Sequence, residues 1–521
     1  MNETICALAT ATGGALGIIR ISGDQSLEIL SHVFSKDLTN AQAGTIHYGH
    51  IIDPSQIVCD AVPPHHGHII DQSEPVCDAV PPHHDHIIDQ SEPMCDAVPP
   101  HHVSVIDEVL VSVFRAPHSY TGEDSVEISC HGSSYILNRV LELLVREGCR
   151  MAEPGEYTMR AYLNGRMDLS QAEAVADLIA SSNRATHQMA MSQLRGGIST
   201  ELSRLRDQLL KLTSLLELEL DFSDHEDLEF ADRSELLSLA QKTDAHITRL
   251  ARSFETGQAL KQGIPVAIVG KTNVGKSTLL NALLKDDRAI VSSIHGTTRD
   301  TIEDTIDIRG VTFRFIDTAG IRQTTDEIEQ IGISRTFAAI DKASIVLWLI
   351  DEQPTEEEVT NMQIRCQGKS LIPVWNKSDI LSPSPVCCDV IAAPIPISAK
   401  TGQGLNTLEQ AIYAAVNIPT LTDSDIIVTN ARHYEALTRA HEHLQRVIEG
   451  MGGCDSPLFL TPSEQASPNV AERTLHSLLP PDLISEDLRL VLSDLSEITG
   501  DGQITPQETL NNIFSRFCVG K

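Results

Sequence analysis

The chain is short of positive charge. Its 521 residues hold 39 Lys and Arg against 72 Asp and Glu, a formal charge of −33. Neutralising nucleic-acid phosphates takes clustered Lys and Arg, so this balance excludes a broad nonspecific nucleic-acid surface. An RNA partner would have to use a limited patch or a more basic companion protein. Long apolar runs are also missing. No uncharged stretch approaches the ~18 residues of a membrane span, so there is no transmembrane segment and any membrane association is peripheral. Eleven cysteines are present, but none forms a C-x-x-C pair, and adjacent Cys387 and Cys388 do not readily bridge each other. An odd count with no basic secretory start reads as reduced thiols in a cytoplasmic protein.

What is present starts with Gly270-Lys-Thr-Asn-Val-Gly-Lys-Ser277, between an apolar run (Val266 to Val269) and a helix-like one (Thr278 to Leu284). Strand, glycine loop and helix are the context of a P-loop. Its glycines let backbone N–H groups surround phosphate oxygens, and the helix N-terminus adds a favourable dipole. Lys276 reaches the β- and γ-phosphates in such a loop, and the Ser277 hydroxyl ligates Mg²⁺. Asp317-Thr-Ala-Gly320 closes a second strand pattern, Val311 to Ile316, where the Asp serves the Mg²⁺ shell and the Gly N–H senses the γ-phosphate. Gly296-Thr-Thr-Arg-Asp300 places Thr298 as the second hydroxyl ligand of Mg²⁺. Asn376-Lys-Ser-Asp379 follows the buried-strand pattern Leu371 to Trp375. A carboxylate at Asp379 accepts two hydrogen bonds from guanine, a pair adenine does not offer, so the nucleotide is GTP. Ser398-Ala-Lys400 supplies the loop backing the base. One element is lacking: Ile321 stands where Ras-like GTPases carry the glutamine that orients water. The acidic segment Asp326-Glu-Ile-Glu329 either supplies a carboxylate that acts on water or forms the acidic first turn of a helix.

Three near copies of an 18-residue unit, each containing His-Ile-Ile-Asp and Cys-Asp-Ala-Val-Pro-Pro-His-His, run from His50 to Val103. The block has seven Asp, two Glu, nine His and no Lys or Arg. Metal binding suits this composition, but Pro-Pro breaks and the lack of tetrahedral ligand spacing favour a flexible surface insertion between two strands. Around it, residues 1–164 mix strand patterns (Gly17 to Ile21, Val109 to Phe114, Val126 to Cys130) with a helix from Ser134 to Glu147, an α+β domain. Heptad-like Leu202, Leu205, Leu209, Leu212 and Leu216 mark long amphipathic helices in 165–262. That texture resumes at Asn430 to Met451 and Leu483 to Phe517, with 452–481 as a loop. The expected fold is multidomain: an α+β N-terminal domain, an α-helical domain made by both flanks (165–262 and 421–521), and an inserted α/β P-loop G domain at 263–420.

Beyond the G motifs, Gly17-Ile-Ile-Arg-Ile-Ser-Gly23, Tyr120-Thr-Gly-Glu-Asp124, Glu153-Pro-Gly-Glu156, Asp168-Leu-Ser-Gln-Ala-Glu-Ala174 and the ending Phe517-Cys-Val-Gly-Lys521 resemble the MnmE (TrmE) family of tRNA-modification GTPases, of the TrmE-Era-Der-like P-loop class. The resemblance covers nearly all of the chain except about 50–103 and about 452–480. It implies that Glu329 is the catalytic glutamate. It also implies a K⁺ site made by Asn273, Ser292, Ile294 and Thr297. The GTP-binding set becomes Asn273, Val274, Gly275, Lys276, Ser277 and Thr278; Ser292, Ser293, Ile294, His295, Gly296, Thr297 and Thr298; Asp317, Thr318, Ala319 and Gly320; Asn376, Lys377 and Asp379; and Ser398, Ala399 and Lys400.

The resemblance further implies a homodimer that binds 5-formyl- or 5,10-methylene-tetrahydrofolate through Arg20, Glu127, Arg166 and Lys521. Arg166 departs from a lysine often found there, keeping the charge but altering the geometry. An MnmG-type partner using FAD and NADH would complete a heterotetramer that installs (carboxymethyl)aminomethyl groups on C5 of uridine 34 in tRNA. A packing or conformational role for Cys518 is as consistent as a nucleophilic one. The alternatives are a ribosome-assembly-type GTPase switch that binds RNA without modification chemistry, and a GTPase whose repeat insertion has damaged folate binding or dimerisation.

Overall fold

Period-two apolar patterns near both ends of the first 166 residues build one sheet, and 3.6-period patterns build the helices that cover it. The computed structural model describes residues 3–58, 102–221, 233–286, 304–316, 337–380, 393–416, 426–452, 481–500 and 507–515, together with 517 and 520. They fall into two compact units, Met1–Arg166 with Leu510–Lys521, and Met167–Thr509.

In the first unit, six strands lie in the order β3-β4-β5-β2-β1-β6: β1 Ile5–Leu8, β2 Leu16–Ser22, β3 Thr45–Val58, β4 His102–Phe114, β5 Ser125–His131 and β6 Arg150–Met151. All neighbours are antiparallel except β1 and β6. Ile19, Ile21, Val111, Val126 and Ile128 turn inward onto helices α1 (Ser26–Val33) and α2 (Ser134–Arg146), whose Leu30, Leu137 and Leu144 are fully buried. The repeat block is not all loop. Its opening, His50–Val58, is the end of β3, and Val58 pairs with His102. Asp53 in that opening is buried and accepts from Arg139 (2.8 Å), Arg146 (2.6 Å) and Ser55. Burial opposes its charge, yet the Ser55 hydrogen bonds and Arg146 win and hold its pKa at about 2. The rest of the block, 59–101, lies outside the described residues. The tail belongs here too: the Phe514 and Phe517 rings lie 5.5 Å apart, against Gly155, which opens α3 (Glu156–Leu163) at φ +69°.

The second unit has two cores. Helices α4 (Leu169–Ala180) and α5 (Arg184–Leu194) both start on capping boxes, at Asp168 and Asn183. They lead into α6 (Gly197–Asp221) and α7 (Arg233–Gln262). Six strands then form the sheet β12-β11-β10-β7-β9-β8: β7 Ile264–Gly270, β8 Asp304–Ile308, β9 Val311–Phe315, β10 Ile345–Ile350, β11 Ser370–Trp375 and β12 Ile395–Pro396. Only β8 is antiparallel to its neighbour. Helices α8 (Lys276–Asp286), α9 (Glu356–Arg365) and α10 (Leu405–Ala414) follow strands β7, β10 and β12. Beyond the sheet, α11 (Ala431–Gly452) and α12 (Pro481–Thr499) return to α6 and α7. The heptad leucines Leu202, Leu205, Leu209, Leu212 and Leu216 pack with Leu250, Leu437, Leu444, Leu488 and Leu495 in one bundle core. An α/β domain is thus inserted in a helical domain made by both flanks.

The texture from Leu483 to Phe517 is not one helix: α12 stops at Thr499, where Gly500 takes φ +76° and donates to Ser496 O, a left-handed helix ending. A separate short helix, α13, spans Gln507–Phe514. The loop expected over 452–481 lies outside the described residues except at its ends.

A buried charge cluster fastens α4 to α11. Glu173 accepts from His433 Nε2 at 2.6 Å and from Arg432 Nη2 and Nε at 3.0 Å each. Desolvation alone would raise its pKa, but His433 and Arg432 outweigh it and hold the carboxyl at about 2 rather than 4.5. Glu173→Gln would leave buried cations uncompensated and should cost roughly 3 kcal/mol, read as a shift in urea midpoint. Because the folded-state pKa is depressed, this contribution is complete above pH 4.5 and is lost as pH falls towards about 2. Parallel acid-denaturation curves for wild type and variant would contradict the assignment.

Candidate functional site

The second sheet changes direction at β7: the chain goes next to β8 and β9 on one side and later to β10 on the other. Ligands of such sheets bind outside the carboxyl ends of the strands at this switch point. Gly270 ends β7 there at φ +155°, followed by Asn273 at +62° and Gly275 at +103°. A Cβ on Gly270 would meet Leu349 O, and one on Gly275 would press into the Asn376 amide. Only glycine fits these two places. α8 then begins at Lys276 and points its N-terminal N–H groups back at the loop.

Asn376 holds the site together. It is 3% exposed, its Nδ2 donates to Val274 O at 2.7 Å, and its Oδ1 accepts from Ala399 N at 3.1 Å. One side chain therefore ties the phosphate loop to the Ser398–Lys400 segment, whose Ser398 is fully buried and exchanges backbone hydrogen bonds with Gln403 and Gly402. Lys377, at φ +61°, bonds Asp351 at 2.6 Å. Asp379 is exposed at the rim, so its carboxylate is open to a base. Lys276 Nζ lies on the carbonyls of Gly270 and Lys271, both at 2.8 Å, and burial lowers its pKa. An ammonium held on the phosphate loop is a preformed partner for a triphosphate.

Of the expected GTP set, Asn273, Val274, Gly275, Lys276, Ser277 and Thr278 share this loop and helix start. Asn376, Lys377, Asp379, Ser398, Ala399 and Lys400 lie on the adjoining loops. Ser292, Ser293, Ile294, His295, Gly296, Thr297, Thr298, Asp317, Thr318, Ala319, Gly320 and Glu329 fall outside the described residues.

The second candidate site is on the first unit. Arg20 and Glu127 are register partners on β2 and β5, joined through Nη2 at 2.7 Å and Nε at 2.9 Å to Oε1. Arg20 Nη1 also donates to Gly520 O at 3.2 Å, next to Lys521, which is itself outside the described residues. Arg166 Cγ lies near Gly122. Sequence reasoning missed the aromatic frame: the Arg20 guanidinium carbon sits 5.7 Å from the Tyr120 ring centre and 5.6 Å from that of Tyr157. The Tyr157 hydroxyl donates to Arg20 O. The Tyr120-Thr-Gly-Glu-Asp124 motif carried the signal for Tyr120, while Tyr157 has no local signature.

On the Ile46–Ser112–Glu127–Arg20 row, the face holding this pair also bears Tyr48, Leu110 and Leu16, exposed by 53%, 47% and 65%. At the other end it is covered: Ile5, Ala7, Ala152 and Tyr157 form a small buried cluster. Arg20 and Glu127 sit at the border between the covered and the open halves.

Gly275→Ala tests the loop geometry. An L-residue in the left-handed region costs about 1–2 kcal/mol, and the added methyl also displaces Asn376. Titration with a fluorescent guanine nucleotide should give at least roughly tenfold weaker binding. Unchanged affinity would show that the loop needs no glycine there.

Comparison with known proteins gives two family-model matches: the MnmE helical domain over residues 169–518 and the GTP-binding protein TrmE N-terminus over residues 4–166. The protein from Phocaeicola vulgatus described as tRNA modification GTPase MnmE is 51% identical, over 100% of this chain and 99% of its own. One of the same description from Bacteroides fragilis is 47% identical over 100% of both. Among solved structures, the G domain of the T. maritima FeoB iron transporter matches with 21% identity over 30% of this chain and 99% of its own, at a TM-score of 0.22, too low to carry an argument.

Proposed function

The chain belongs to the MnmE (TrmE) family of tRNA-modification GTPases, and from that premise we propose a K⁺-stimulated GTPase whose hydrolysis cycle drives modification of the wobble uridine. The GTP hydrolase acting in tRNA modification is the family's shared activity. The observation supporting it in this chain is the Asn376 bridge between Val274 and Ala399, which places phosphate and base recognition in one rigid frame.

In hydrolysis, water attacks the γ-phosphorus, the bond to the β–γ bridging oxygen breaks, and GDP and phosphate leave. In this reading Glu329 orients that water and accepts its proton, the role for which Ile321 is chemically unfit. Lys276 faces the phosphate oxygens. Ser277, with Thr298, would hold Mg²⁺, and Asn273, with the Ser292, Ile294 and Thr297 loop, would hold K⁺. The exposed Asn273 at positive φ, on a loop whose Gly270 and Lys271 carbonyls already draw a cation, fits a monovalent ion. When bound, K⁺ supplies the positive charge that an arginine finger supplies in other GTPases.

Folate is the proposed one-carbon donor, held by Arg20, Glu127, Arg166 and Lys521. The donor set fits it: cations for a glutamate tail, a partly exposed carboxylate for the pterin donor edge, and the Tyr120 ring beside them. The open sheet face with Ile46, Tyr48, Leu110 and Leu16 suits a second copy of the chain, whose seating would border the Arg20–Glu127 pair and close the pocket. An MnmG-type protein carrying FAD and using NADH is the proposed partner in a heterotetramer acting on tRNA in the cytoplasm. A ribosome-assembly switch has no use for Arg20 and Glu127, so folate separates the two readings.

Exchanging K⁺ for Na⁺ at equal ionic strength should slow GTP turnover at least tenfold, about 1.4 kcal/mol of barrier. Equal rates would remove the Asn273 assignment. Glu329→Ala should lower turnover by roughly 10²–10⁴ with nucleotide affinity unchanged. Calorimetric titration with 5-formyl-tetrahydrofolate should give saturable binding that Glu127→Ala abolishes. No heat with the wild-type chain would sink the folate reading while leaving the GTPase intact.

A further inference from the structure

Arginine in the helical bundle is mostly spent. Arg204 pairs with Glu201, Arg432 with Glu173, Arg439 with Asp494 and Glu497, Arg446 with Asp487, and Arg489 with Glu217. Arg249 and Arg252 on α7 are different. Both are exposed, and among the described residues neither is given a carboxylate or a hydrogen bond. They line an open groove of about 500 Å³ between α7 and α11, with Asp244, Ala245, Thr248 and His441.

Asp244, the carboxylate that lines the groove among the described residues, is already engaged. Asp244 Oδ1 lies 2.6 Å from His441 Nδ1, and its Oδ2 accepts from Gln445 at 2.7 Å. The two guanidinium groups therefore set the sign of the groove. Two turns along α11 from His441, Tyr434 is 38% exposed and stacks on Phe254 of α7, with centroids 4.6 Å apart and planes 14° apart. Guanidinium groups on an open groove, with an exposed, ring-backed tyrosine two turns along α11 from the groove's His441, are the parts of a single-stranded nucleic-acid platform: cations for phosphates, a ring for a base.

We propose that the α7–α11 groove binds the RNA phosphodiester backbone, with Arg249 and Arg252 on phosphates and Tyr434 as a stacking surface. This rests on the tRNA reading above and names where on this acidic chain the RNA is held. A chain with a charge of −33 repels RNA over most of its surface, so a short cationic groove determines where contact occurs.

The test uses the full chain and a tRNA transcript, with binding followed by fluorescence anisotropy between 50 and 200 mM KCl. Arg249→Ala with Arg252→Ala should weaken binding about tenfold and reduce the slope of log K against log salt by about 2, with GTP turnover unchanged. Arg249→Lys with Arg252→Lys should keep most of the slope. Tyr434→Ala should weaken binding with the slope intact. Unchanged affinity and slope in the alanine pair, or no binding of RNA by the wild-type chain, overturns the proposal. Competition by poly-aspartate as effective as by poly-uridine would assign the groove to acidic proteins and also overturn it. The parent reading has its own readout: wobble nucleosides in cells lacking the chain. Complete modification there sinks the tRNA function itself, whereas undermodified tRNA with an unaffected alanine pair sinks only the groove.

Discussion

A single buried amide sets the geometry of the nucleotide site. Asn376 must satisfy both ends of its side chain, because an unpaired polar group in that position costs about 1–3 kcal/mol. Among the described residues its side-chain partners are Val274 O on one loop and Ala399 N on another. The loop that curls around phosphate and the loop that backs the base are therefore one object. Gly275 is part of the same constraint, since the amide occupies the space any side chain would need. Asp379, three residues on, inherits its position at the rim from this anchor.

The bundle fixes where that object stands within its unit. β7 begins two residues after α7 ends, and Val428 O packs so tightly on Gly257 that no Cβ fits between them. Gln193 donates to Ile427 O, and Thr429 donates to Asp177. Chain entering and leaving the G domain is thus tied to α5, α4 and α7 before α11 closes the bundle. Glu173 with Arg432 and His433 completes the attachment electrostatically, at a position where burial makes charge costly unless it is paired.

In the first unit the sheet carries the opening of the repeated block at one edge while Arg20 and Glu127 stay paired on inner strands. The opening of the first copy is structural: Ile51 is buried and Asp53 pairs with two arginines of α2. Growth of the block after Val58 leaves that pairing in place, with His102 resuming the ladder opposite it. Glu127 lies two strands away from β3 and Arg20 three, both on the other face.

The sequence by itself determined the P-loop, the guanine motif, the three-part architecture and the heptad core. These are local signals: a glycine where φ must be positive, a carboxylate at fixed spacing, leucines every third or fourth residue. It also carried the family resemblance, which implies site roles for Arg20, Glu127 and Glu329. Only the tertiary structure decided that Asn376 faces inward as a brace, that Tyr157 and Gly520 meet Arg20, and that α12 ends at Gly500 so that the last residues join the first domain. It alone left two arginines of α7 without a carboxylate among the described residues. Each of these depends on which distant groups share a small volume, and pairing across hundreds of residues leaves no periodicity in the chain.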